Sequence, residues 1–294
     1  MTITRRTVTI GLSATLGVFS LAGTNFAATE DGLRPLLAEV EKELGGRLGV
    51  FARDTHTDRQ WAYRADERFP LTSTFKAFAC AGILSRVDAG SEALDRRITF
   101  EKNQLVEYSP VTEKHVGWPG MPLSQICEAA MEMSDNSAGN MVLDALGGPD
   151  GFTAFMRSIG DEETRLDRRE TMLNEAAPGD ARDTTTPRAA AVSLQKLALG
   201  EVLSAGARST LQGWLTGNKV GGPLLRAGLP GDWRIGDRTG AGGHGSRAVV
   251  AILWPPKRKP VVAAIYMTGN DKPMDVRNAA IAKIGKELGL TISA

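Results

Sequence analysis

Arg68-Phe69-Pro70-Leu71-Thr72-Ser73-Thr74-Phe75-Lys76-Ala77-Phe78-Ala79-Cys80-Ala81-Gly82-Ile83-Leu84-Ser85-Arg86 carries a single charge between Phe69 and Ser85, on Lys76. Pro70 followed by an apolar run predicts a helix that begins just past the proline. Its residues are apolar on nearly every face, so the helix belongs at the centre of the molecule. Lysine is almost never fully buried without a partner, so Lys76 requires one. Ser73 lies one turn back, at i−3. At a helix N-terminus, free backbone N–H groups and the dipole favour developing negative charge. A hydroxyl, an amine within reach and an electropositive helix end are the parts of an activated nucleophile.

S-x-x-K is a loose pattern. A second copy, Ser193-Leu-Gln-Lys196, lies in a mixed amphipathic segment and needs no catalytic explanation. The weight of the first copy depends on whether the rest of the chain supplies partners.

The 294 residues suit one large domain or two packed lobes, and 42% hydrophobic with 23% charged residues is ordinary for a globular protein. Net charge is +1, and it becomes −1 without the first 28 residues, which hold two Arg and no acid. Neither value points to nucleic acid or a membrane surface as partner. Residues 1–28 read as an export signal: Arg5-Arg6 precede an uncharged stretch from Thr7 to Thr29 that is too interrupted to span a membrane. Thr4-Arg5-Arg6-Thr7-Val8 fits a twin-arginine signal, and an ordinary secretory signal fits as well. A periplasmic monomer with no membrane anchor after processing is expected. Cys80 and Cys127 are the only cysteines. In an exported chain an even pair implies a disulfide; two buried free thiols are the alternative. His56, His115 and His244 are isolated and offer no metal spacing, so neither a metal nor another cofactor is expected.

Periodicity gives the order of elements. Leu33, Leu36, Leu37, Val40 and Leu44 form a helical stripe ended by Gly45-Gly46, and two strands, 48–53 and 60–64, flank a hairpin turn. Helices and loops then run to about Gly213. Three strands follow, at 233–238, 248–254 and 261–267, and a closing helix carries Val276, Ala280, Ile284 and Leu288. The fold class is therefore α+β. Residues 29–68 and 216–294 form an α/β lobe with a five-stranded antiparallel sheet flanked by the terminal helices, and 69–215 form an all-helical lobe. The crevice between lobes is the expected ligand site. Gly240-Ala-Gly242-Gly-His-Gly245 matches G-x-G-x-x-G, but a strand follows where the dinucleotide fingerprint needs a helix.

Three further stretches bear on Ser73. Ser134-Asp135-Asn136 sits between two apolar helical segments. Glu170-Thr-Met-Leu-Asn174 lies in a polar loop, and Arg238-Thr239-Gly240 ends a strand. Singly they read as a helix cap, a solvated acid and a turn. Jointly and in this order, after S-x-x-K, they resemble the motif set of the class A serine β-lactamases over essentially the whole mature length. The resemblance implies that Ser73 is the acylated nucleophile and Lys76 its proton-handling neighbour. Ser134 relays a proton to the leaving lactam nitrogen. Glu170 and Asn174 position and activate the deacylating water. The backbone N–H groups of Ser73 and Ala241 form the oxyanion hole. Asn136, Tyr108, Arg238, Thr239, Gly240, Ala241 and Arg247 bind substrate, a β-lactam antibiotic. Arg168 and Asp183 pair to close the loop carrying Glu170, and Cys80 and Cys127 match the family's disulfide positions.

Two departures stand out. Arg238 replaces the usual K-T-G lysine, which resembles the carbenicillinase branch with R-T-G, and arginine presents a planar fork where lysine is a point charge. Thr171 stands where many members have proline. A D-Ala-D-Ala peptidase of the penicillin-binding type and a non-turnover β-lactam-sensing domain share the acylating parts, but Glu170 with Asn174 argues against both.

Overall fold

A computed structural model describes residues 33–293; the expected export signal, 1–28, lies outside them. The elements run α1 (Leu33–Leu44), β1 (Arg47–Asp54), β2 (Gln60–Tyr63), β3 (Phe69–Pro70), α2 (Phe75–Asp88), β4 (Arg97–Ile98), β5 (Met121–Pro122) and α3 (Leu123–Glu132). There follow α4 (Asn136–Leu146), α5 (Gly148–Ser158), β6 (Thr184–Thr185), α6 (Pro187–Ala198), α7 (Ala205–Thr216), β7 (Arg234–Ala241), β8 (Arg247–Trp254), β9 (Val261–Thr268) and α8 (Met274–Ser293).

The main sheet has the order β2-β1-β9-β8-β7, and every neighbouring pair is antiparallel. Its central strands are apolar without alternation because both faces are covered. On one face Val249, Ala251 and Ile265 meet α1 and α8 through Leu37, Val40, Ile284 and Leu288. On the other, Val250, Ile252 and Ala264 join the core of the helical region. The four buried residues of α1 (Leu33, Leu37, Val40, Leu44) contribute about 1.5–3 kcal/mol each by burial, an upper bound for an extended reference chain.

The stripe of α8 differs from the expected one. Ile281, Ile284, Leu288 and Ile292 face the sheet, while Val276 is exposed. Steps of four residues gain about 40° per step on a helix of 3.6 residues per turn, so a 276-280-284-288 line drifts off the buried face. The region 69–215 is not purely helical either. β3 pairs with β6, and β4 with β5, as two short antiparallel ribbons. The β3–β6 ribbon ties the entry of α2 to the end of the polar loop.

Helix α2 is buried from Phe75 to Leu84, as its all-round apolar sequence requires. Cys80 on α2 and Cys127 on α3 are both buried. The expected disulfide is corrected here: both are free thiols, and Cys80 Sγ is directed at the Cys127 carbonyl oxygen, 3.8 Å away. In this pose they act as small apolar side chains filling the α2–α3 contact, and burial pushes the Cys127 thiol up.

Candidate active site

The sequence Pro70-Leu71-Thr72-Ser73 does not enter α2 directly. A short 3₁₀ turn, Thr72–Thr74, precedes it. Thr72 has φ +46 and is fully buried against β7: a Cβ on Gly240 would sit 2.0 Å from Thr72 Oγ1 and 3.1 Å from Ser73 N. Only glycine at 240 lets the strand pass the Ser73 turn this closely.

The Ser73 hydroxyl donates to Glu170 Oε1 at 3.1 Å and accepts from Lys76 Nζ at 3.0 Å. The ammonium also donates to Ser134 O at 2.9 Å and Asn136 Oδ1 at 2.7 Å, and it lies 2.9 Å from Glu170 Oε1. Both side chains of this ion pair are fully buried. Burial is the main force on Lys76 and holds its amine down to about 8; the Glu170 charge opposes this and Arg238 adds to it. Lys76 is thus still mostly a cation at neutral pH, but one that gives up a proton far more easily than an exposed lysine.

Ser134, Asp135 and Asn136 connect α3 to α4. Ser134 has φ +61. Asp135 caps α4 through Ala138 N at 2.8 Å, and it accepts from Val111 N and Thr112 N at 3.0 and 2.9 Å. These bonds fasten the Tyr108 loop to the α4 cap. Asn136 adds two more, from its N–H to Tyr108 O at 3.0 Å and from Nδ2 to Glu107 O at 2.9 Å.

Glu170 is held from behind by Asn140. Its N–H donates to Asn140 Oδ1 at 2.9 Å, and Asn140 Nδ2 donates to its carbonyl at 3.0 Å. Sequence reasoning missed Asn140. The signal was present, because Asn140 is four residues after Asn136 and shares its helix face. The Glu170–Thr171 peptide is cis. Asn174 Nδ2 donates to Glu170 Oε2, while Asn174 Oδ1 is buried without a hydrogen-bond partner among the described residues. A buried amide oxygen of this kind calls for a donor, and a water between Glu170 and Asn174 would supply one. The loop is closed where expected: Arg168 Nε meets Asp183 Oδ2 at 2.6 Å, and Asp183 Oδ1 accepts from the N–H groups of Asp167 and Arg168 at 2.7 and 2.9 Å.

The open cleft has a volume of about 370 Å³. Ser73, Ser134, Asn136, Asn174 and the backbone of Thr239, Gly240 and Ala241 line its floor. Tyr108, Val220, Met274 and Arg247 form its rim; Val220 and Met274 sit in unremarkable sequence and carried no signal. Arg247 donates from Nε to Asn278 Oδ1 at 2.8 Å and from NH1 to Gly240 O at 3.0 Å. Arg238 does not line the cleft. It is fully buried and its fork is spent inside: Nε to Ser73 O and NH1 to Met131 O, both at 3.2 Å, and NH2 to Ser134 Oγ. Burial holds both guanidiniums down to about 10.

A nucleophile flanked by a buried amine and a buried carboxylate, with a second hydroxyl gripped by a cation, can open an amide and then hydrolyse the ester formed. Comparisons with known proteins agree. The model of the beta-lactamase enzyme family matches residues 32–291. The chain is 49% identical over 268 residues to β-lactamase AER-1 of Aeromonas hydrophila, covering 91% of this chain and 88% of that one. It is 46% identical over 276 residues to β-lactamase AST-1 of Nocardia asteroides, covering 94% and 89%. Among solved structures, an ancestral Gram-negative class A β-lactamase superposes with a TM-score of 0.87 at 57% identity, covering 88% of this chain and 99% of that one.

Proposed function

The chain belongs to the class A β-lactamases, and from that premise we propose that it hydrolyses penicillins, carboxypenicillins included, through an acyl-enzyme on Ser73. At neutral pH Lys76 is mostly charged, so the Ser73 proton passes to Glu170 Oε1, to which the hydroxyl already donates. Ser73 Oγ attacks the lactam carbonyl carbon, and the oxyanion is received by the N–H groups of Ser73 and Ala241. As the C–N bond breaks, Ser134 gives its proton to the nitrogen and is resupplied by Lys76. Glu170 returns its proton to Lys76 across 2.9 Å. Water held by Glu170 and Asn174 then attacks the ester, with Glu170 as base. Asn136 and Tyr108 hold the acylamino side chain, and Thr239 and Arg247 the ring carboxylate.

The observation that carries this reading is Ser73 Oγ set between Lys76 Nζ and Glu170 Oε1, beside the unpartnered Asn174 Oδ1. A penicillin-binding peptidase or a sensor, both of which stay acylated once a β-lactam has reacted, has no need of a base and amide arranged to hydrolyse that particular ester. Carboxypenicillins bring a second carboxylate; Arg247 lines the cleft and Arg238 lies behind it, and neither is ion-paired to an acid among the described residues. Arg238 acts on it only as a field, from behind Ser134. The reading includes export through residues 1–28 to the periplasm, supported by the sequence of that segment, and action there as a monomer. Initial rates for benzylpenicillin, ampicillin, carbenicillin and an oxyimino-cephalosporin test it. We expect good turnover of the three penicillins and poor turnover of the last. The carbenicillin-to-benzylpenicillin ratio of kcat/KM should fall about fivefold from low to high salt. A salt-independent ratio would remove the field from the account.

A further inference from the structure

A second cavity, of about 390 Å³, lies beside the catalytic cleft and shares none of its lining residues. The two are back to back. Met133 lines the second cavity and Ser134 the first; Lys219 lines the second and Val220 the first. The second cavity has an apolar floor that includes Met121, Met133 and Ala129. Glu128 and Glu132, one turn apart on α3, stand at its edge with Lys219 and the exposed His115.

Lys219 is already engaged. Its Nζ lies 3.0 Å from Glu132 Oε2 and its N–H donates to Glu132 O at 2.9 Å. Glu128 is not within ion-pair distance of a cation among the described residues; the Lys219 ammonium is raised chiefly by its bond to Glu132, with a smaller contribution from the Glu128 charge. Two carboxylates against one ammonium leave an uncompensated negative charge over a floor with two thioethers. Thioether sulfur makes favourable contacts with aromatic rings, and the free carboxylate asks for a cation. We propose that this cavity is a binding site for a small arylalkylammonium ion, its ring on Met121 and Met133 and its ammonium between Glu128 and Glu132. The catalytic cleft, rimmed by Arg247, repels such an ion, so the two sites select opposite charges.

Titration calorimetry of the full chain with 4-phenylbutylammonium at low salt tests this. We expect one saturable site, with affinity about threefold lower in Glu128→Gln and lower still for the neutral 4-phenylbutanol. Gln125→Trp, which places an indole in the cavity, should abolish binding. Glu128 and Gln125 are exposed, so both variants should fold and keep wild-type nitrocefin turnover. Tyr108→Ala, at the cleft rim, should leave the affinity unchanged. Absence of saturable binding, equal affinity in wild type and Gln125→Trp, or loss in Tyr108→Ala alone would overturn the proposal.

Discussion

Arg238→Met separates the two things a buried guanidinium can do. The fork satisfies Ser73 O and Met131 O and grips Ser134 Oγ. Methionine leaves the two carbonyls without a donor, at about 1–3 kcal/mol each. It also relieves a burial cost. Burial lowers the arginine from its ordinary value to about 10 on folding, which corresponds to about 3 kcal/mol. Because the unfolded chain holds that proton more tightly, the cost is fully present below about pH 10, hence under assay conditions. The two effects nearly offset, and methionine is apolar and of similar length, so the variant should fold with Tm within about 5 °C of wild type. Activity should not be spared. Ser134 loses a charged donor worth about 1.5–3 kcal/mol, so kcat/KM for benzylpenicillin should drop about tenfold to hundredfold. Arg238→Lys keeps a charged donor for Ser134 and should recover most of that loss. Calorimetric Tm and kcat/KM on the same preparations decide it. A methionine variant within threefold of wild-type activity would refute the positioning role, and one that does not fold would refute the offset.

Glu170→Gln should move the pH dependence of acylation. The Glu170 charge raises the Lys76 amine, so its loss lets that amine fall below about 8 and serve as base in neutral form. Stopped-flow acylation of this variant by benzylpenicillin should then show a rising limb below about pH 8, as neutral Lys76 replaces the Glu170 carboxylate as base, and a pH-independent rate would mean that Lys76 does not take over that role. Asp183→Asn removes the charge that closes the loop on Arg168, and should cost about 1–3 kcal/mol in stability while slowing deacylation more than acylation. Equal slowing of both steps in burst-phase kinetics would show that the loop supports more than the Glu170–Asn174 pair.

Much of the fold was legible because the signals were physical. The uncharged run around Lys76 demanded a central helix, and α2 is buried from Phe75 to Leu84. The apolar strands 248–254 and 261–267 became the doubly covered β8 and β9 within a residue at each end. The second S-x-x-K behaves as its mixed segment implied: Ser193 bonds Asp161 Oδ2 and Lys196 bonds Ile159 O, far from chemistry. What was not legible depends on three-dimensional detail. Composition permits either a disulfide or two thiols, and the choice turns on where Cys80 Sγ points. The R-T-G motif gives a cation on β7 but not its rotamer, and so not whether Arg238 meets solvent or Ser134. The β3–β6 ribbon pairs two dipeptides more than a hundred residues apart, too short to show any periodicity.

The central claim is that Ser73 is acylated and that Glu170 is needed to free it. Glu170→Ala mixed with benzylpenicillin and analysed by intact and peptide mass spectrometry tests it most directly. The account predicts a long-lived adduct with the mass of one whole penicillin, mapped to the peptide containing Ser73, because neutral Lys76 can still serve acylation while the base for water is gone. Rapid turnover without an adduct, or an adduct on a residue other than Ser73, would contradict it.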